Sequence, residues 1–192
     1  ERERKQKEGS ERAAAGWTRL ERYRALKDEI EAQDKAIDTL AAAARVLAED
    51  EEVHFLFIGS GPKQQIIEEL VESGAGNVTI LAPRPRAEQE EFLNACDVSI
   101  LSLVSGMLGL AVPSRTYNIM AAGKPVIALV SQASETAKVV REEGIGWVVE
   151  PGNPEQTVEA ILAAKQNRQL LREMGARARA AAEAKYSPEI IL

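Results

Sequence analysis

Residues 112–129 read V-P-S-R-T-Y-N-I-M-A-A-G-K-P-V-I-A-L, a stretch that holds a helix start, a helix, a stop and a buried strand. Pro113 presets the first helical turn, and Ser114 offers a hydroxyl to the free N–H groups there. Arg115 enters on the same turn. Tyr117, Ile119, Met120 and Ala121 carry the apolar side. Gly123 stands where a left-handed cap ends a helix, and Pro125 cannot continue it. Val126 to Val130 is an unbroken apolar run, as suits a parallel strand covered on both faces. A glycine-bearing loop, Ser105 to Leu110, leads in. Loop, helix N-terminus and strand in that order is how α/β folds hold an anion.

Outward from there, strands and helices alternate. Apolar runs predict five strands, Val53–Ile58, Val78–Leu81, Val98–Leu103, Val126–Val130 and Trp147–Val149. Helices are predicted over Asp38–Asp50 (Ile37, Leu40, Val46 and Leu47 buried), from Pro62 to Ser73 (Ile66, Ile67, Leu70 and Val71 buried), and over Ala87–Cys96. Further helices are predicted over Ser134–Glu143, from a cap at Asn153 to Lys165, and over Arg168–Lys185. This alternation predicts a parallel sheet flanked by helices. Ligands of such sheets bind beyond the carboxyl ends of the strands, which nominates Gly59–Pro62, Pro83–Arg86, Leu103–Leu110 and Ser131–Ser134. Residues 1–35 are charged, with Trp17, Leu20, Tyr23, Leu26 and Ile30 at three- and four-residue steps. That spacing predicts an amphipathic helix, either docked on residues 36–192 or used for self-association.

The composition bounds function. A net charge of −6 with 4% aromatic residues argues against a nucleic-acid surface. One cysteine, Cys96, allows no internal disulfide and fits a reducing, cytoplasmic compartment. One histidine beside it argues against zinc, and His54 reads as a packed strand residue. No run is long enough to span a bilayer. The chain begins at Glu1 without methionine, which fits a truncated or engineered chain.

The candidate chemistry is binding chemistry. Gly59-Ser60-Gly61-Pro62 follows a strand and opens a helix, but lacks the third glycine of a dinucleotide fingerprint and the lysine of a phosphate loop. It reads either as a ligand loop or as a tight turn. Ser105, Gly106, Gly109 and Leu110 form the second glycine loop, where backbone N–H groups can approach a ligand. Arg115 on the next helix can pair with the same anion bidentately, or it is a surface cation. No Ser/His/Asp set, Cys/His pair or metal cluster is present, so no catalytic residue and no cofactor are assigned.

From about Ile37 to Ser187 the chain resembles the donor-binding, C-terminal domain of family 4 retaining glycosyltransferases of the two-Rossmann-domain (GT-B) type. The resemblance rests on H-F-L-F-I-G-S-G-P, N-V-T-I-L, the proline loop, F-L-N-A-C-D-V-S-I-L-S-L, V-P-S-R-T-Y-N-I-M-A-A-G-K-P-V-I-A and G-W-V-V-E-P-G-N-P-E. V-P-S-R…M-A-A-G-K-P is most similar to the branch that transfers N-acetylated amino sugars in surface polysaccharide assembly. The resemblance implies a UDP-linked sugar as donor, bound as a substrate. It implies the base against Pro83 and Arg84, and the diphosphate against Gly106 to Arg115 with Ser114. It also implies the ribose at Asn118, where the family carries a glutamate. The family's earlier glutamate falls at Leu110. The expected acceptor-binding domain is missing, and so is the family's first strand with its basic loop. Removing that strand predicts the flavodoxin-like order 2-1-3-4-5 in one five-stranded sheet. A lone donor half without turnover is expected, at the inner face of a membrane. A scaffold protein that keeps the sheet without the chemistry is the alternative.

Overall fold

A computed structural model describes residues 35–102 and 114–186. The Trp17–Ile30 stripe, the Ser105–Leu110 loop and Pro113 lie outside them. The first described helix, α1, covers 35–46. Strand β1 (Phe55–Ile58), helix α2 (Gln64–Glu72) and strand β2 (Val78–Leu81) follow. A 3-10 turn (Arg86–Glu88) runs into α3 (Gln89–Asn94), then β3 (Ser99–Ser102). The remainder is α4 (Ser114–Ala121), β4 (Val126–Leu129), α5 (Glu135–Glu142), β5 (Gly146–Val149), α6 (Pro154–Gln166) and α7 (Arg168–Lys185).

Local chemistry explains these limits. Ser134 and Asn153 cap α5 and α6 by accepting from the N–H groups of Ala137 and Gln156. Gly123, at φ +67, ends α4 while its N–H reaches Met120 O and that of Lys124 reaches Ile119 O. Strand β1 begins later than the apolar run suggests, because Val53 N–H turns back to Asp50 O at 3.0 Å. His54, expected to be packed, is instead exposed, with Nε2 2.8 Å from Thr79 Oγ1. Val46, expected to be buried, is 68% exposed, because Ala36, Leu40, Ala43 and Ala44 form the inward stripe of α1, continued by Leu47 just past its end. Val71 is likewise 40% exposed, and Ile67 and Leu70 carry the buried face of α2.

The single five-stranded sheet is not formed. The strands make two parallel sheets, β1–β2 and β3–β4–β5. Strand β4 is buried throughout and shows why the second sheet is covered on both faces. Val126, Ala128 and Val130 pack with Ile119, Met120, Val140 and Ala178 from α4, α5 and α7. Ile127 and Leu129 point the other way, to Leu40 of α1 and Ala160 of α6. The same two helices reach the first sheet: Ala41 and Ala44 of α1, Leu47 just after it and Ile161 of α6 pack with Val53, Phe55 and Val78. Thus α1 and α6 brace both sheets from one face, and no backbone ladder joins β1 to β3. Local apolar runs predict strands well, but they do not choose which edges pair.

Candidate functional site

Within each sheet the strands are parallel, so their carboxyl ends open in one direction and lead into Gly59–Pro62, Pro83–Arg86 and Ser131–Ser134. Gly59 closes β1, with its N–H on Leu81 O at 3.0 Å. Its φ of +127 is strained for any side chain, so the turn itself demands glycine. Gly61 O accepts from Gln64 N–H at 3.1 Å and starts α2. Nothing lies within 4 Å of a Cβ built on either glycine, so the turn is tight and its outer side is open.

After β2, Pro83 and Arg84 lead to Pro85, whose extended backbone (φ −56, ψ 147) starts the 3-10 turn. Arg84 Nη1 lies 3.4 Å from Glu88 Oε2, an exposed pair of small energetic weight. Ser105, Gly106, Gly109 and Leu110 lie outside the described residues.

Helix α4 is anchored by Ile119 and Met120, which are fully buried, and exposes Ser114 and Arg115 on its first turn. Between these and the anchor sits Thr116, 0% exposed, whose Oγ1 has no hydrogen-bond partner among the described residues. A buried unpaired hydroxyl costs roughly 1–3 kcal/mol. Asn118 Nδ2 donates to Gln89 Oε1 at 3.4 Å. That contact ties α4 to α3, the helix that continues directly from the Pro83–Arg86 loop. The contact joins the middle of α4 to the start of α3, and no described hydrogen bond or ion pair links Pro83 or Arg84 with Ser114 or Arg115.

Gln89, Thr116 and the support behind α4 were not readable in advance. Tyr117 stacks on Tyr186 with ring centroids 5.0 Å apart. Tyr186 Oη donates to Glu143 Oε1 at 3.2 Å, and Lys185 Nζ donates to the same carboxylate at 2.8 Å. Burial first, then the Glu143 charge and its hydrogen bond, push the Tyr186 hydroxyl up to about 12, and burial raises Tyr117 as well. The stack pins α4 to the ends of α7 and α5. Among the described residues no group of His, Cys, Asp or Glu could hold a metal ion, and no helix is long and apolar enough to cross a membrane. A shallow pocket lined by Gln132, Trp147, Gln156 and Glu159 lies along β5 and α6 and includes none of Pro83, Arg84, Ser114, Arg115 and Asn118.

The family model described as "Glycosyl transferases group 1" matches residues 29–181. A curated relative, "Probable glycosyltransferase WbjE" of Pseudomonas aeruginosa, is 34% identical over 121 residues, 62% of this chain and 30% of its own length. The chain thus spans under a third of that relative. Among solved structures, TarM superposes with a TM-score of 0.66 at 24% identity, covering 82% of this chain and 31% of TarM. Anabaena Alr3699/HepE, solved in complex with UDP, gives 0.62 at 22%, covering 80% and 42%. The chain belongs to the glycosyl transferases group 1 family, and its fold is that of the C-terminal domain of a GT-B glycosyltransferase.

Proposed function

We propose that this chain is the nucleotide-sugar-binding half of a retaining glycosyltransferase of surface polysaccharide assembly, taking a UDP-linked sugar and turning over nothing alone. The observation that supports the reading is the Asn118–Gln89 contact, which links the helix that follows the Pro83–Arg86 loop to the helix suited to a diphosphate. The diphosphate lies at the first turn of α4, where free N–H groups, the positive dipole end and the Arg115 guanidinium meet. The Thr116 hydroxyl supplies a further donor below it. The ribose lies by Asn118, and the base edge by Pro83 and Arg84. A complex of HepE with UDP, in a protein of the same fold, supports the choice of nucleotide.

Binding is weak. Asn118 and Leu110 stand where the resemblance implies carboxylates, and each lost charge-assisted bond is worth roughly 1.5–3 kcal/mol. Turnover needs an acceptor-side surface to close the cleft and exclude water. Where such a surface is supplied, basic groups stabilise the departing nucleoside diphosphate. The whole enzyme works in the cytoplasm at the inner membrane face. Calorimetry with UDP tests the reading. Arg115→Ala should weaken binding by about tenfold or more, the equivalent of one charge-assisted bond. Tight binding that ignores this substitution places the phosphate elsewhere, and no UDP binding at all favours a scaffold. Sugar transfer or donor hydrolysis by the purified chain overturns the expectation of no turnover.

A further inference from the structure

Among the described residues β5 pairs with β4 alone, so it is an edge of its sheet. Val149 is buried, and Trp147, two residues back and on the same face, is half-buried. Helix α6 lies along that face: Ala160 shares a core cluster with Val149, and Trp147 packs against it. Gln156, Glu159, Ala160 and Ala163 stand at helical steps of three and four, so they form one stripe. That stripe and Trp147, together with Gln132, line a hollow of ≈ 390 Å³. Small-molecule sites run from roughly 300 to 1,000 Å³.

Gln132 is held in place by the protein itself. Arg141 Nη1 donates to its Oε1 at 2.7 Å, Arg141 Nη2 donates to its backbone O at 2.6 Å, and its N–H donates to Glu150 Oε1 at 2.9 Å. Its own Nε2 donates to Val148 O at 3.4 Å. That carbonyl lies on the outer edge of β5, since Ile145 O and Val149 O serve β4. Gln132 therefore caps the edge against a further strand. The other polar groups are unengaged. Among the described residues, no hydrogen bond or ion pair is made by the side chains of Gln156 and Glu159, both exposed, or by Trp147 Nε1.

An indole offers a broad apolar face with one N–H at its rim. A carboxylate accepts from two hydroxyls at once, and a carboxamide both donates and accepts. A pyranose ring has the matching surface, with apolar C–H bonds on its face and hydroxyls around its edge. We infer that the hollow between β5 and α6 binds a neutral sugar ring of a glycan, stacked on Trp147 and bonded at its rim by Gln156 and Glu159. Glu159 is the sole charge among the described lining residues and repels a phosphate, which disfavours a nucleotide there. A quaternary ammonium is held by a cage of aromatic rings, and Trp147 is the only aromatic residue of this lining. The site uses no residue of α4, so it neither needs nor excludes a nucleotide at Ser114 and Arg115.

The probes are maltose, cellobiose and N,N′-diacetylchitobiose, each titrated into the full chain. NMR reads the Trp147 indole N–H and the Gln156 side-chain amide. The chain has two tryptophans, and Trp147→Leu tells their indole signals apart. At least one probe should shift both signals saturably, with a dissociation constant of about 1–10 mM, the scale of one stacked ring and a few hydrogen bonds. Trp147→Leu should abolish binding. Glu159→Gln and Gln156→Ala, at exposed positions that leave the fold intact, should each weaken it about fivefold. Saturating UDP should leave the sugar shifts in place. Four results overturn the inference: no saturable shift with any of the three sugars, shifts with tetramethylammonium in their stead, affinity unchanged in both Glu159→Gln and Gln156→Ala, and displacement of the sugar by UDP. Failure of UDP to bind at α4 leaves the sugar shifts untouched, so the two readings fall separately.

Discussion

Gly175→Ala is the substitution whose outcome the packing determines most sharply. Glycine inside an exposed helix costs about 1 kcal/mol relative to alanine, so helix propensity alone predicts that this change stabilises α7. The structure reverses the sign. A Cβ on Gly175 would stand 2.2 Å from Gly123 O and 3.2 Å from Gly123 C, both backbone atoms. Neither can swing aside, because Gly123 holds φ +67 and the turn is fixed by the bonds from Gly123 and Lys124 N–H to Met120 and Ile119 O. The helices must part by roughly 1 Å, which forfeits a quarter to a half of each dispersion contact across the seam. Met120 and Ala178 lie in that seam's core and lose most. Overpacking costs about 1–3 kcal/mol, and backbone against backbone belongs at the upper end. Less the propensity gain, the net loss is about 2 kcal/mol, or about 4–8 °C in Tm for a chain of this size. Thermal unfolding followed by circular dichroism reads it. An unchanged or raised Tm would refute the close approach of α4 and α7.

Thr116→Val removes the unpartnered buried hydroxyl, so Tm should rise by the equivalent of about 1 kcal/mol while UDP affinity falls; a rise without loss of affinity removes Thr116 from the site. Tyr186 is raised from 10.0 to about 12, so the proton it keeps on folding stabilises fully below pH 10, and that contribution is lost as pH rises through 12. Tyr186→Phe should therefore flatten the stability profile between pH 10 and 12 and delete the latest step of a tyrosinate absorbance titration. Lys165 Nζ lies 2.7 Å from Asp50 Oδ1 and 2.9 Å from Glu52 Oε2, and the Lys165 hydrogen bond is the chief cause that lowers the Asp50 carboxyl. The Asp50 contribution is present above its ordinary value of 3.8 and lost as pH falls through the lowered one, so Lys165→Met should lower Tm at pH 7 and match wild type near pH 2. A gap that persists at pH 2 would make the lysine's role one of packing.

Much of the fold was legible because it rests on local chemistry. Alanine-rich α7 runs over Arg168–Lys185 as its pattern predicts, the Asn153-Pro154 signal opens α6, and Gly123 stops α4. What failed depended on distant partners. Val46 reads as core by type, but small alanines let α1 sit close and turn Val46 outward. Strand runs gave no account of which edges pair, so the split between β1 and β3 was hidden. In the candidate site, loops and helix starts were readable from glycine, proline and serine. Gln89, Thr116 and Tyr186 were not, because Gln89 and Tyr186 meet partners at least 29 residues away and Thr116 Oγ1 has none among the described residues.

Amide chemical shifts of the full chain, titrated with UDP, test the donor site most directly. The largest changes should fall at Ser114, Arg115 and Thr116, with Arg84, Gln89 and Asn118 moving in the same titration. Changes confined to Gln132, Trp147 and Gln156 along β5, or the absence of saturable change at α4, would contradict the assignment of the nucleotide to the helix that begins at Ser114.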